Sequence, residues 1–224
     1  MNNRFRLYWT ILLLFCVVNS FFSLLAQNTG ITDKAIMKIA GEEAPHFLND
    51  IPLGQEPLYG FENRDQFKSV TIGKPIQIIS PVTETFPPNY DKTDVKLKLH
   101  DEWFVPLIVQ NVIKALITVT KHEGRYQSVD FGAKDFATEL NSFKELTGKK
   151  VYKISILRVY RLQSDFLVIS SGGKAGNQKV FIPMTSARLA FFNGVKSKER
   201  MTENETMQMI REKLVLLSIE EKNR

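Results

Sequence analysis

The spacing of apolar residues along the chain predicts an alternation of helices and strands. "TDKAIMKIAGEEAPHFLND" sets Ile36, Met37, Ile39, Ala40, Phe47 and Leu48 at helical intervals, with Thr32 or Asp33 able to cap the start. Pro45 is expected to kink or split that helix. A Gly- and Pro-rich stretch follows, in which Asn63 caps a short helix reaching about Val70, before Gly73 ends the segment. "IQIISPV" reads as a strand. "TETFPPNYDKTDVKLKLHD" reads as a surface excursion, because adjacent prolines and many charges do not suit a central strand.

The most apolar stretch beyond the N-terminus is "EWFVPLIVQNVIKALITV", Glu102 to Val119. It is too short to span a bilayer, and Pro106, Gln110, Asn111 and Lys114 would put polar groups in lipid. Its β-branched and aromatic residues predict a hairpin with Asn111 and Val112 as a two-residue loop. That register sets Phe104, Pro106 and Ile108 opposite Val119, Ile117 and Ala115. Val112 is an awkward turn residue, so a longer loop is the alternative.

"KHEGRYQSVDFG" adds a third strand through a turn at Gly124. "AKDFATELNSFKELTG" is a helix, with Phe136, Leu140 and Phe143 at i, i+4 and i+7 and Gly148 to stop it. "VYKISILRVYRL", "DFLVISS" and "KVFIP" complete a meander around the loop "GGKAGNQ", and "SARLAFFNG" is a short helix. Thr202 and Glu205 match a capping box that opens a helix with a Met207, Ile210, Leu214, Leu217 stripe, which docks on its own domain or on a partner. The order predicts an α+β fold: a mainly antiparallel sheet of about six to seven strands, with an N-terminal helix, a central helix and C-terminal helices packed on it.

The first residues alter the picture of location. Arg4 and Arg6, an apolar stretch from Leu7 to Val18, and an ending in Leu24, Leu25 and Ala26 have the layout of a secretory signal peptide cleaved after Ala26. An uncleaved anchor is the alternative. The expected organisation is a signal peptide over 1–26, an α+β domain over 27–195, and a charged linker with an amphipathic helix over 196–224. Cys16 is the only cysteine and lacks the small residues before it that lipidation needs. Cleavage would therefore leave a cysteine-free chain, without thiol chemistry or disulfides, which suits a bacterial envelope. The net charge of +6 falls to +4 without Arg4 and Arg6, too weak a bias to indicate nucleic acid. No membrane span is expected after cleavage.

The segments "YGFENRDQF", "IGKPIQI", "EWFVPLIVQNVIKALITV", "VDFG", "VISS" and "VFIPMTSARLAF" together resemble a group of exported bacterial α+β proteins with no established activity. The resemblance covers about Tyr59 to Phe192 and carries over no functional residues. Val112 stands where a turn glycine is expected.

Motifs for chemistry are few. "SSGGKAGN" fails the phosphate-loop spacing at Val168 and Ala175 and reads as a hairpin loop. His46, His100 and His122 form no metal-binding pair along one helix, so each is expected at the surface or in a loop, with no metal and no cofactor. The fold could still gather His100, Asp101, Glu102 and His122 at one end of the hairpin. Among Lys149, Lys150, Lys153, Arg158 and Arg161, with Tyr152 and Tyr160 between them, an anionic polymer or carboxylate could bind. Arg158 shares a strand face with Ile154 and Ile156, which instead suggests a half-buried guanidinium paired with an acid.

The candidate contact residues are thus His100, Glu102, His122, Arg158 and Arg161, with no catalytic residue assigned. The expected function is an exported, non-enzymatic binding module for an envelope protein, peptide or glycan, periplasmic or secreted. The alternatives are a hydrolase or metal-dependent enzyme with its site near the 83–102 loop, and an inhibitor or chaperone-like partner of a secreted protease.

Overall fold

The computed structural model describes residues 31–82, 96–147, 152–171, 179–192 and 199–222. Asp33–Arg224 form one compact unit. Among the described residues the elements are α1 (Asp33–Asp50), β1 (Thr71–Ile72), β2 (Ile76–Pro81), β3 (Leu97–Val109), β4 (Val112–His122), β5 (Arg125–Gly132), α2 (Lys134–Thr147), β6 (Tyr152–Val159), β7 (Ser164–Ser171), β8 (Lys179–Pro183), α3 (Thr185–Phe192), β9 (Met201–Thr202) and α4 (Glu203–Lys222). The expected α+β class holds, but the strand count is corrected: one sheet of nine strands runs β5-β4-β3-β2-β6-β7-β8-β9, with β1 pairing β3 off that path. The short strands β1 and β9, two residues each, carry no alternation from which they could be read. The helices interleave with the strands, α3 falling between β8 and β9.

Two antiparallel halves meet at the pairing of β2 with β6, which is parallel. One core joins Ile78, Phe104, Leu116, Ile156 and Leu167 to Ala137, Leu140 and Phe143 of α2; of the expected stripe Leu140 and Phe143 are buried, Phe136 packs partly buried against the core, and Ala137 joins it. Alternate residues of the same strands, Ile79, Leu157, Val159, Phe166 and Val168, join a second core with Ala187 of α3 and Met207, Ile210 and Leu214 of α4. Period-two alternation therefore sends apolar side chains to both faces, so the sheet needs helices on each. The Thr202–Glu205 capping box forms in both directions, the Thr202 backbone N–H donating to Glu205 Oε2 at 2.9 Å and the Glu205 N–H to Thr202 Oγ1 at 3.3 Å.

Three local expectations change. Helix α1 is not split at Pro45 but runs through it to Asp50, with a buried face of Ile36, Ala40, Ala44 and Leu48. Strand β3 starts at Leu97, inside the stretch expected to be an excursion; residues 83–95, Gly148, the "GGKAGNQ" loop over 172–178 and the segment 1–26 expected to be a signal peptide lie outside the described residues. In the β3–β4 hairpin the turn is Gln110–Asn111, both at positive φ (48° and 66°), and Val112 pairs with Val109. That turn shifts the pairing by two residues and the irregularity between Leu107 and Ile108 takes one back, so Phe104 faces Thr118 and Pro106 faces Leu116, one residue from the expected register. A β-branched residue resists the left-handed region, whereas asparagine tolerates it, and that moves the turn back by one.

Candidate ligand-binding site

At the carboxyl ends of β2 and β6, where the two halves of the sheet join, polar side chains collect on the sheet surface next to Phe104. The register Ile78↔Ile156 and Ile79↔Leu157 brings Ser80 level with Arg158. Strand β3 is irregular at this level. Between Gln77↔Trp103 and Ile79↔Leu99, β2 advances by one intervening residue, Ile78, while β3 accommodates His100, Asp101 and Glu102. A bulge of this kind re-aims side chains that a regular ladder would send elsewhere. The Gln77 amide Nε2 donates to the His100 carbonyl at 3.2 Å and holds the distorted segment to β2.

Ser80 Oγ and His100 Nε2 form a 2.6 Å hydrogen bond, and the His100 ring meets Tyr160 edge-on at 5.6 Å. The Tyr160 hydroxyl donates to Glu102 Oε2 at 3.3 Å. Arg158 binds Asp165 with a two-pronged contact, Nε to Oδ1 at 2.9 Å and Nη2 to Oδ2 at 3.4 Å, while its Nη1 lies 3.6 Å from Glu102 Oε1. The guanidinium also lies over Phe104, 5.1 Å from the ring centroid, and 6.0 Å from that of Tyr160. These contacts tie β2, β3, β6, β7 and the turn after β6 into one network.

Burial works against the charge on Arg158, but the hydrogen bond and charge of Asp165, with Glu102 behind them, outweigh it and hold the guanidinium above its usual range. Burial first, then the Glu102 carboxylate, pushes the Tyr160 phenol up to about 12, against the opposing pull of Arg158. At neutral pH the network therefore has a guanidinium and a protonated phenol as donors.

Of the residues singled out from sequence, the fold brings together His100, Glu102 and Arg158. Asp101 turns aside, accepting from the Tyr126 hydroxyl at 3.3 Å and pairing with Lys121 at 3.8 Å. His122 sits exposed beside the β4–β5 turn, its Nε2 3.8 Å from Glu123 Oε1, apart from His100 and Glu102 among the described contacts. Arg161 reaches α4 instead, donating to Ser218 Oγ at 3.2 Å and pairing with Glu221. The sequence pattern missed Ser80 and Asp165. Asp165 was within reach of sequence reasoning, since a tight turn at Tyr160–Gln163 folds β7 back so that it faces Arg158.

Among the described residues no group of three or more His, Cys, Asp or Glu side chains is disposed to hold a metal ion. Among the same residues no helix is long and apolar enough to cross a membrane. No family model, curated protein or solved structure matches this chain.

Proposed function

We propose that the chain is an exported, non-enzymatic binding module of the bacterial cell envelope, periplasmic or secreted, whose contact surface is the His100, Glu102, Arg158 and Tyr160 network. The observation that carries this reading is the placement of the network at the carboxyl ends of the parallel pair β2 and β6. Ligand sites form in sheets where connections diverge beyond parallel strand ends. Arg158 is engaged by Asp165 and Glu102, so the site offers shape, hydrogen bonding and an aromatic ring rather than an unpaired acid and base. Export is supported by the basic, apolar and small-residue layout of 1–26 and by the lack of cysteine after Cys16.

A photo-crosslinking residue at Leu99, which is 60% exposed on β3 beside the network, tests this in the native envelope. A discrete adduct with an envelope component is expected, weakened by Glu102→Gln; absence of any specific adduct overturns the reading.

One observation favours a second reading, a hydrolase. The 2.6 Å Ser80–His100 contact has the geometry of a nucleophile and its base. Against it, Ser80 is only 4% exposed. Fluorophosphonate labelling decides: the binding-module reading expects no adduct on Ser80, whereas labelling abolished by Ser80→Ala and by His100→Ala establishes the hydrolase.

A further inference from the structure

The sheet ends on one side at β5, eight residues long, and on the other at β9, which has only two. Among the described residues β5 pairs with β4 alone, so its outer edge is a row of backbone donors and acceptors with no strand beside it. Their direction follows from the turn. Glu123 and Gly124, both at positive φ (49° and 81°), form a two-residue loop closed by His122 and Arg125. A closing pair of this kind is hydrogen-bonded, and bonded and non-bonded pairs alternate from there. Arg125 and Gln127 therefore turn their N–H and C=O groups towards β4, while Tyr126 and Ser128 turn theirs outward. Val129 is the extra residue of a bulge, since Thr118 pairs with Asp130 and Val119 with Ser128. Beyond it the outward N–H is that of Phe131, which donates to Asp130 Oδ1 at 2.8 Å and so ends the usable edge.

The side chains along this edge are self-complementary. Arg125, Gln127 and Asp130 stand opposite His122, Thr120 and Thr118, alternate residues on one face of β4, and all three are exposed. No ion pair among the described residues engages Arg125 or Asp130. Tyr126, Ser128 and Phe131 take the opposite face, where Phe131 stacks on Phe47 of α1 at 5.5 Å. A second β5 laid antiparallel to the first, with Gln127 opposite its own copy, brings the outward groups of Tyr126 against those of Ser128. Arg125 then stands across from Asp130 of the second copy on the same face, once at each end, and Val129 is passed over once in each strand. A shift of two residues in either direction loses both ion pairs. Charges that ordinarily guard an edge strand here favour a single register.

We propose that β5 is a self-association edge, through which two copies of this chain join antiparallel about a twofold axis at Gln127 into one continuous sheet. The occupant is a second copy because the edge carries both members of the Arg125–Asp130 pair, in the order that antiparallel pairing with itself requires. The interface goes beyond the binding-module reading and does not rest on it.

Sedimentation of the full chain over a concentration series tests this, and a reversible monomer–dimer equilibrium is expected. Arg125→Asp and Asp130→Arg should each weaken dimerisation by roughly tenfold or more, because the twofold axis repeats every like-charge contact. The double variant, which exchanges the two charges, should return to within about threefold of the unmodified chain. Amide hydrogen exchange in the unmodified protein supplies a readout that needs no variant. Protection of the Tyr126 and Ser128 N–H groups should rise with protein concentration more than that of Gln127, which is already bonded to β4. A monomer at every concentration, a dimer indifferent to the single reversals, reversals that the exchange does not rescue, or protection independent of concentration overturns the inference.

Discussion

Arg158 and Asp165 face each other across the β6–β7 hairpin in direct register, and their two-pronged contact closes over the Phe104 ring. The pair is largely withdrawn from water, with side-chain exposures of 24% and 13%. Removing one member leaves the other charge half-buried, which costs more than the pair contributes while intact. Asp165→Asn should therefore lower stability by about 2–3 kcal/mol in urea denaturation. Glu102→Gln, which loses only the longer 3.6 Å contact, should cost under about 1 kcal/mol. Equal losses would mean that Asp165 does not anchor the network.

Tyr160 provides a spectroscopic handle on the same site. Its phenol is raised to about 12, by burial first and then by Glu102, so folding favours the protonated form. Stability from this group is complete below the unfolded tyrosine value of about 10 and is lost as pH rises through the folded value. Phenolate absorbance should show one tyrosine of the folded protein ionising well after an exposed tyrosine would, and Tyr160→Phe should remove that late step. An unchanged titration in the variant would place the late group elsewhere.

The hairpin turn makes a discriminating prediction. With the turn at Gln110–Asn111, Gln110 holds a φ of 48° that glycine adopts freely, so Gln110→Gly should stabilise by about 0.5–1 kcal/mol. With a turn one residue later, the same glycine would sit at the end of a strand and weaken it. The sign of the change in thermal midpoint separates the two registers.

Gly60 should be among the least replaceable residues of the chain. Its φ is 91°, and an added Cβ would run into the Lys114 carbonyl oxygen of β4. Gly60→Ala should cost at least about 2 kcal/mol through strain and displacement of β4. Gly54, at φ 83° with open space around its Cβ position, should lose only about 1 kcal/mol on the same change. Comparable losses at the two would show that β4 yields to the intrusion.

Much of the architecture was legible because it depends on local periodicity. The Leu140 and Phe143 positions of the α2 stripe and the capping box at Thr202 and Glu205 each follow from spacing within one segment. The turn in the β3–β4 hairpin was misplaced by one residue for a similar reason. Apolar residues on both sides of Gln110 and Asn111 face cores on both sheet surfaces, so hydrophobicity alone does not select a register. What selects it is the backbone tolerance of two residues for positive φ.

By itself the sequence determined the α+β class and the helix stripes, since each is set by neighbours a few residues away, and it offered an acidic partner as one of two readings of Arg158. Only the tertiary structure decided that Glu102 and His100 join Arg158 and Asp165 while Asp101, His122 and Arg161 do not, and that Ser80 hydrogen-bonds His100. Those outcomes depend on the parallel pairing of β2 with β6 and on the bulge in β3. Strand pairing is a long-range choice: it depends on which buried faces fit together, and no spacing within a single segment encodes it.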